Sequence, residues 1–152
     1  MNNIHPPILE QFTRVFSEIP FNRILGLTLD SIESDHIIIR FIMKEELIGN
    51  YMHGILHGGV ISSVLDMAGG TTAMLSAIYK RPEKNLEELS KVLSKSSTIN
   101  LHIDYIRPGK GMQFIAKAWT LHSGNKITFT RMELHNHEET LIATGTGTYL
   151  VS

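Results

Sequence analysis

Between Leu47 and Tyr79 the chain carries no Lys, Arg or Glu, and Asp66 is the only formally charged side chain among those 33 residues. Within the stretch, from Gly58 to about Tyr79, Val60, Val64, Met67, Met74 and Ile78 recur at helical spacing. Ile61, Leu65, Ala68 and Leu75 extend the apolar surface around the cylinder. A helix that is apolar on most sides is a buried one. The rest of the chain therefore has to wrap it.

The rest reads as strands with two amphipathic helices. Ile8, Phe12, Val15, Phe16 and Ile19 follow His5-Pro6-Pro7 at helical spacing and predict a helix that stops before Pro20. Leu25, Leu27 and Leu29 alternate as a strand, and beyond a turn at Ser34 and Asp35 the run HIIIRFIM predicts a second, the two forming a hairpin. After the apolar helix, RPEKNLEELSKVLSKSS sets Leu86, Leu89, Val92 and Leu93 on one stripe with Lys and Glu elsewhere, which predicts an exposed amphipathic helix. Four strand signals close the chain: TINLHIDYIR, MQFIAKAWTL, KITFTRMELH and TLIATGTGTYLV. Their short connections predict an antiparallel meander. An antiparallel sheet that covers the helix with one face makes the fold class α+β, and without a repeat or linker residues 1–152 are expected to form one domain.

Composition narrows the function classes. The net charge of −1 offers no basic footprint for nucleic acid. With no cysteine, disulfides, thiolate nucleophiles and Cys-based metal sites are excluded, which suits a reducing cytoplasm. The first twenty residues lack the basic and apolar regions of a signal peptide, and Gly, Ser, Asn, Thr and His interrupt the weakly charged stretch too often for a membrane span. A soluble, cytoplasmic protein with neither nucleic-acid partner nor membrane span is expected.

An unpaired carboxylate on a buried helix costs several kcal/mol unless something compensates it. A structural hydrogen bond or a pairing with one of the eight histidines would do so. The surroundings offer another account. His57-Gly58-Gly59 stands at the expected helix start, where glycines admit a ligand to the backbone and unpaired N–H groups backed by the helix dipole receive an oxyanion. Donor and acid together are two parts of an acyl-transfer site. Eight residues separate Gly58 from Asp66, about 12 Å along a helix. If both act on one carbonyl, they come from different subunits of a dimer.

The segment GILHGGVISSVLDMAGG resembles the central motif of the hotdog-fold acyl-CoA thioesterases of the PaaI type, a His-Gly-Gly step followed by a helix with an Asp, and the His57-to-Asp66 spacing agrees with it. PFNRILGLTL, the Gly49-Asn50 pair, STINLHIDYIRPGKG, GNKITFTRMELHN and IATGTGTYLV extend the likeness over most of residues 20–151 and bring it nearer to the bacterial YigI-like group. The resemblance implies a long helix wrapped by a curved antiparallel sheet of about six strands. It also implies a homodimer with joined sheets, often doubled to a tetramer. The implied activity is hydrolysis of medium- to long-chain fatty acyl-CoA, without metal or redox cofactor.

By the same resemblance Asp66 is the nucleophile or general base, the Gly58 N–H of the partner subunit polarises the thioester carbonyl, and His57 shapes the pocket. Thr98, aligned back from Tyr105-Ile106-Arg107-Pro108, would hold the attacking water. Many relatives carry an Asn six residues before the motif histidine. Here Tyr51 occupies that position and Asn50 lies one further back, so Asn50 either returns to the site through a one-residue bulge or is a turn residue. Gly59, Met67 and Met74 are expected to line the substrate, with Leu75 a further acyl candidate. Arg107, Lys110 and Lys126 are the cations placed near turns for CoA phosphates, where solvated surface charge is the alternative. The segment Lys80–Ser97 is a candidate wall of the acyl tunnel. Two other functions share the fold, a hydratase or dehydratase and a non-catalytic acyl-CoA-binding module. His57-Gly58-Gly59 with Asp66 favours the thioesterase.

Overall fold

A computed structural model describes residues 4–152. In chain order the elements are α1 (Pro6–Glu18), α2 (Pro20–Leu25), β1 (Thr28–Ile32), β2 (His36–Ile42), a 3-10 turn (Glu45–Leu47), β3 (Ile48–Asn50), β4 (Ile55–Leu56), α3 (Gly58–Tyr79), α4 (Leu86–Leu93), β5 (Ser97–Tyr105), β6 (Gln113–Ser123), β7 (Ile127–Asn136) and β8 (Leu141–Leu150). Six strands form one antiparallel sheet in the order β1-β2-β6-β7-β8-β5, and β3 pairs with β4 in a separate ribbon.

The sheet packs over α3 from β2 across to β5. Its inner face shows the alternation of a half-covered sheet: Phe114, Ala116 and Ala118 on β6 are buried, as are Met132 and Leu134 on β7. Val64, Leu65 and Ala68 meet them from the helix, also without exposed surface. Phe41 of β2 stacks on Phe114 with ring centroids 5.1 Å apart, closing the core between neighbouring strands. By length and composition α3 could cross a membrane, but 61% of its most apolar window is buried within the fold, as befits a core helix.

Two expectations are corrected. Leu25 does not open a strand; it ends α2, and the strand starts at Thr28. Pro20 both halts α1 and starts α2, because the first helical position needs no N–H donor. Gly26 then stops α2 in the left-handed conformation, φ 70°, while the Leu27 N–H donates to the Asn22 carbonyl at 2.9 Å. The meander is broken as well. β6, β7 and β8 follow it, whereas β5 pairs with β8 and leaves β6 to β2. The segment joining β5 to β6 is a crossing rather than a hairpin turn: Ile106 and Arg107 donate to the Ile142 carbonyl, and the Gly109 carbonyl accepts from Leu56 on β4. A side chain at position 109 would overlap Leu56, so the glycine permits this close crossing.

Candidate active site

Three elements position Asp66. It stands on the half-buried side of α3, between the fully buried Leu65 and the partly buried Met67. Thr98, at the start of β5, donates its hydroxyl to Asp66 Oδ1 at 3.0 Å. Tyr149, near the end of β8, reaches the same Oδ1 and the Asp66 carbonyl, each at 3.2 Å. Both hydroxyls converge on one carboxylate oxygen. Among the described residues Oδ2 accepts no hydrogen bond, and no Lys, Arg or His forms an ion pair with Asp66. The compensation of the carboxylate is thus two neutral hydroxyls, and its histidine alternative does not occur among those residues.

Tyr149 is 3% exposed. Burial first, then the charge and hydrogen bond of Asp66, hold its phenol well above the ordinary tyrosine range, so it stays a donor. The chain clears room for it. A Cβ at Gly69 would overlap the Tyr149 hydroxyl, and one at Gly147 would come within 2.5 Å of the ring. Tyr149 escaped the sequence reading because its strand pattern says nothing of a partner 83 residues away. The two glycines inside the helix, Gly69 and Gly70, were the available signal, since each weakens a helix by about 1 kcal/mol relative to Ala.

Asp66 opens onto a pocket of about 140 Å³ lined also by Met67, Gly70, Met74, Ser96 and Thr98. At about 30 Å³ for each water of liquid, several waters or the head of a substrate fit. Ser96 Oγ is buried and has no hydrogen-bond partner among the described residues. Such an atom calls for a bound water or ligand. Met67 and Met74 thus stand beside the carboxylate, whereas Leu75 turns into the core.

The other end of the site is built around the start of α3. His57 caps the helix: its Nδ1 accepts the Gly59 N–H at 2.8 Å, which leaves the proton of the neutral ring on Nε2. A Cβ on Gly59 would lie 2.9 Å from that Nδ1, so the second glycine makes the cap possible. Gly58 differs. Its N–H has no acceptor among the described residues, and a Cβ there would meet only the Tyr105 ring, at 3.4 Å. Tyr105 donates to the Gly58 carbonyl at 3.2 Å.

Asn50 ends β3 beyond a bulge in its pairing with β4. Its Oδ1 accepts the Met52 N–H at 3.0 Å and its carbonyl accepts the Gly54 N–H at 2.9 Å, so it builds the turn while its Nδ2 has no partner among the described residues. Arg107 and Lys110 are exposed on the crossing segment, which the Leu56–Gly109 hydrogen bond fastens beside the start of α3. Lys126 is remote from them; its carbonyl accepts from Val151, which lines the Asp66 pocket. Because α3 is unbroken from Gly58 to Tyr79, the free donor and the acid remain about 12 Å apart in one chain.

Residues 53–143 match the family model of the thioesterase superfamily. The chain is 41% identical over 133 residues to the medium/long-chain acyl-CoA thioesterase YigI of Escherichia coli K12, covering 88% of this chain and 86% of that one. A Shewanella oneidensis protein, solved and described as related to the thioesterase superfamily, superposes with a TM-score of 0.92 at 41% identity over 96% of both chains. The Escherichia coli PaaI protein from the phenylacetic acid degradation operon superposes at 0.73 with 16% identity, covering 99% of this chain and 96% of that one, and shares the fold. The wrapped helix is the hotdog fold.

Proposed function

The chain belongs to the thioesterase superfamily, and from that membership we propose that it hydrolyses medium- to long-chain fatty acyl-CoA to a free fatty acid and CoA. The observation that carries the proposal is Asp66 itself, a carboxylate fixed through one oxygen by Thr98 and Tyr149 and open through the other to a pocket. Such a group either takes a proton from water as the water attacks the thioester carbonyl or attacks through Oδ2 to give an anhydride that water cleaves. In both courses the carbon–sulfur bond breaks and the thiolate leaves with a proton. The carbonyl oxygen gains charge, and the unpaired N–H of Gly58 suits it.

Since 12 Å separates that N–H from Asp66, the two meet on one carbonyl only across a pair of chains. The exposed surface supports a homodimer. β5 is an edge strand with Ile99 55% and Tyr105 54% exposed, and Tyr51 and Met52 stand bare beside the helix start. An open apolar edge is a template for pairing. In the dimer, His57 would shape the pocket and Asn50 Nδ2 would add a donor on the carbonyl side. Arg107 and Lys110, beside the Gly58 end, are placed for CoA phosphates. A cysteine-free chain fits the reducing cytoplasm, where we place it.

Thiol release from a series of acyl-CoAs tests the proposal. Asp66→Asn is expected to lower kcat about 10²- to 10⁴-fold, the usual contribution of a positioned acid–base group. Equal rates for wild type and variant would remove Asp66 from the mechanism.

A further inference from the structure

Beside the carboxylate pocket lies a larger, partly open cavity of about 330 Å³, bounded by α1, α3 and α4. On α3 it is lined by Met67, Thr71, Met74 and Ile78, one face of the helix. Phe12 and Phe16 of α1 face it from one side, and Leu89 and Leu93 of α4 from another. Met67, Thr71 and Met74 also line the Asp66 pocket, so the two spaces share these three side chains as a common wall. Two of them are methionines, flexible enough to swing aside.

We propose that this cavity receives the hydrocarbon chain of the acyl group, with α1 and α4 as its walls and Ile8, Ile78 and Leu89 as its end. The assignment rests on the thioesterase reading and deepens it. The lining shared with the Asp66 pocket points to the occupant: a thioester carbonyl held at Asp66 has this apolar space next to it. The lining is mostly aliphatic and aromatic, with the hydroxyls of Thr71, Ser90 and Ser94 and the amide of Gln11 as exceptions, which matches an unbranched chain rather than a polar group.

The dimensions set a length. From Met67 to Ile78 the wall runs eleven residues, about 16 Å along a helix. A zigzag chain with C–C bonds of about 1.5 Å advances about 1.3 Å per carbon, so about twelve carbons fill that span. Ile8, Ile78 and Leu89 are shared with a separate, smaller space of about 40 Å³ and so mark this end of the cavity. The structure thus contains a ruler: chains up to about lauroyl gain contact with each added carbon, and longer ones do not.

The test uses two bulky substitutions, Ile8→Trp at the far end and Ser90→Trp halfway along α4, with thermal melting to establish folding. Thiol release is followed from butyryl-CoA to stearoyl-CoA. For wild type, kcat/KM is expected to climb to about lauroyl and then level. In each variant the ratio of kcat/KM for palmitoyl- to octanoyl-CoA is expected to fall about tenfold or more, the scale of discrimination set by a methylene or two in an apolar pocket. An unchanged ratio in both folded variants overturns the proposal. Laurate titrated into wild type and into Asp66→Asn by calorimetry reads the cavity without catalysis. Saturable binding weakened at least about tenfold in a folded tryptophan variant supports the assignment, and no binding to wild type overturns it. If no acyl-CoA is cleaved while laurate binds, the thioesterase reading falls and the cavity assignment stands.

Discussion

The hydroxyls of Thr98 and Tyr149 meet at Asp66 Oδ1, and a hydrogen bond to an ionised group contributes about 1.5–3 kcal/mol. Only part of that reaches the transition state. Tyr149→Phe and Thr98→Val are each expected to lower kcat about tenfold, equivalent to about 1.4 kcal/mol. Because either remaining hydroxyl still orients the carboxylate, the double variant should lose more than the product of the single effects. A double-mutant cycle on steady-state thiol release measures this, and strict additivity would mean that the two donors act separately. Tyr149 also makes a prediction at alkaline pH. Its folded-state pKa is raised, so its contribution to stability is complete below the unfolded tyrosine value of about 10 and declines as pH rises above it. Tyr149→Phe should therefore flatten the alkaline fall in melting temperature. Asp66 was legible in the sequence because a solitary charge in an apolar helix needs a reason. Tyr149 was not, because its role depends on which strand lies over that helix.

At the scale of elements, α3 is held by packing and α4 by its ends. Leu65 has no exposed surface, and Leu65→Ala should cost about 2–5 kcal/mol in denaturant unfolding, the range for emptying a leucine site in a core. In α4, Asn85 accepts the Glu88 N–H while the Glu88 carboxylate receives the Asn85 N–H, a reciprocal cap over a helix of eight residues. Asn85→Ala should weaken the cap by about 1 kcal/mol. Hydrogen exchange is expected to quicken in Leu86–Leu93 and stay unchanged in α3; a change shared equally by both helices would show that α4 does not move independently. Periodicity made both helices and most strands legible. It could say which face of α1 and of α4 is apolar, but not that those faces look at each other across a hollow. Strand spacing likewise missed the β5–β8 pairing, since order in a sheet is set by which edges are already occupied.

For the whole molecule, the proposed dimer makes the unpartnered edge of β5 and the N–H at Gly58, which has no acceptor among the described residues, features of half a site. Gly58→Pro is a clean probe of that half. Position 58 opens the helix, where Pro fits, and His57 already has the extended conformation, φ −63° and ψ 137°, that a following Pro requires. Mixing Gly58→Pro chains with Asp66→Ala chains should restore partial thiol release in mixed dimers, from the one site that combines an intact donor with an intact acid. No recovery in verified mixed dimers would place donor and acid within one chain. Ile99→Lys, on the exposed edge, should shift sedimentation toward the monomer and lower activity with it, because like charges facing across a paired edge repel.

The eight residues that hold Gly58 and Asp66 apart on one rigid helix also bear on inheritance. In the proposed dimer, a chain carrying both Asp66→Ala and Gly58→Pro would spoil both sites of any pair it joins, its missing acid disabling one and its missing donor the other. With equal numbers of normal and doubly altered chains pairing at random, about a quarter of the activity survives instead of half. Such an allele would be dominant over its intact neighbour while leaving the fold and the pairing surface untouched.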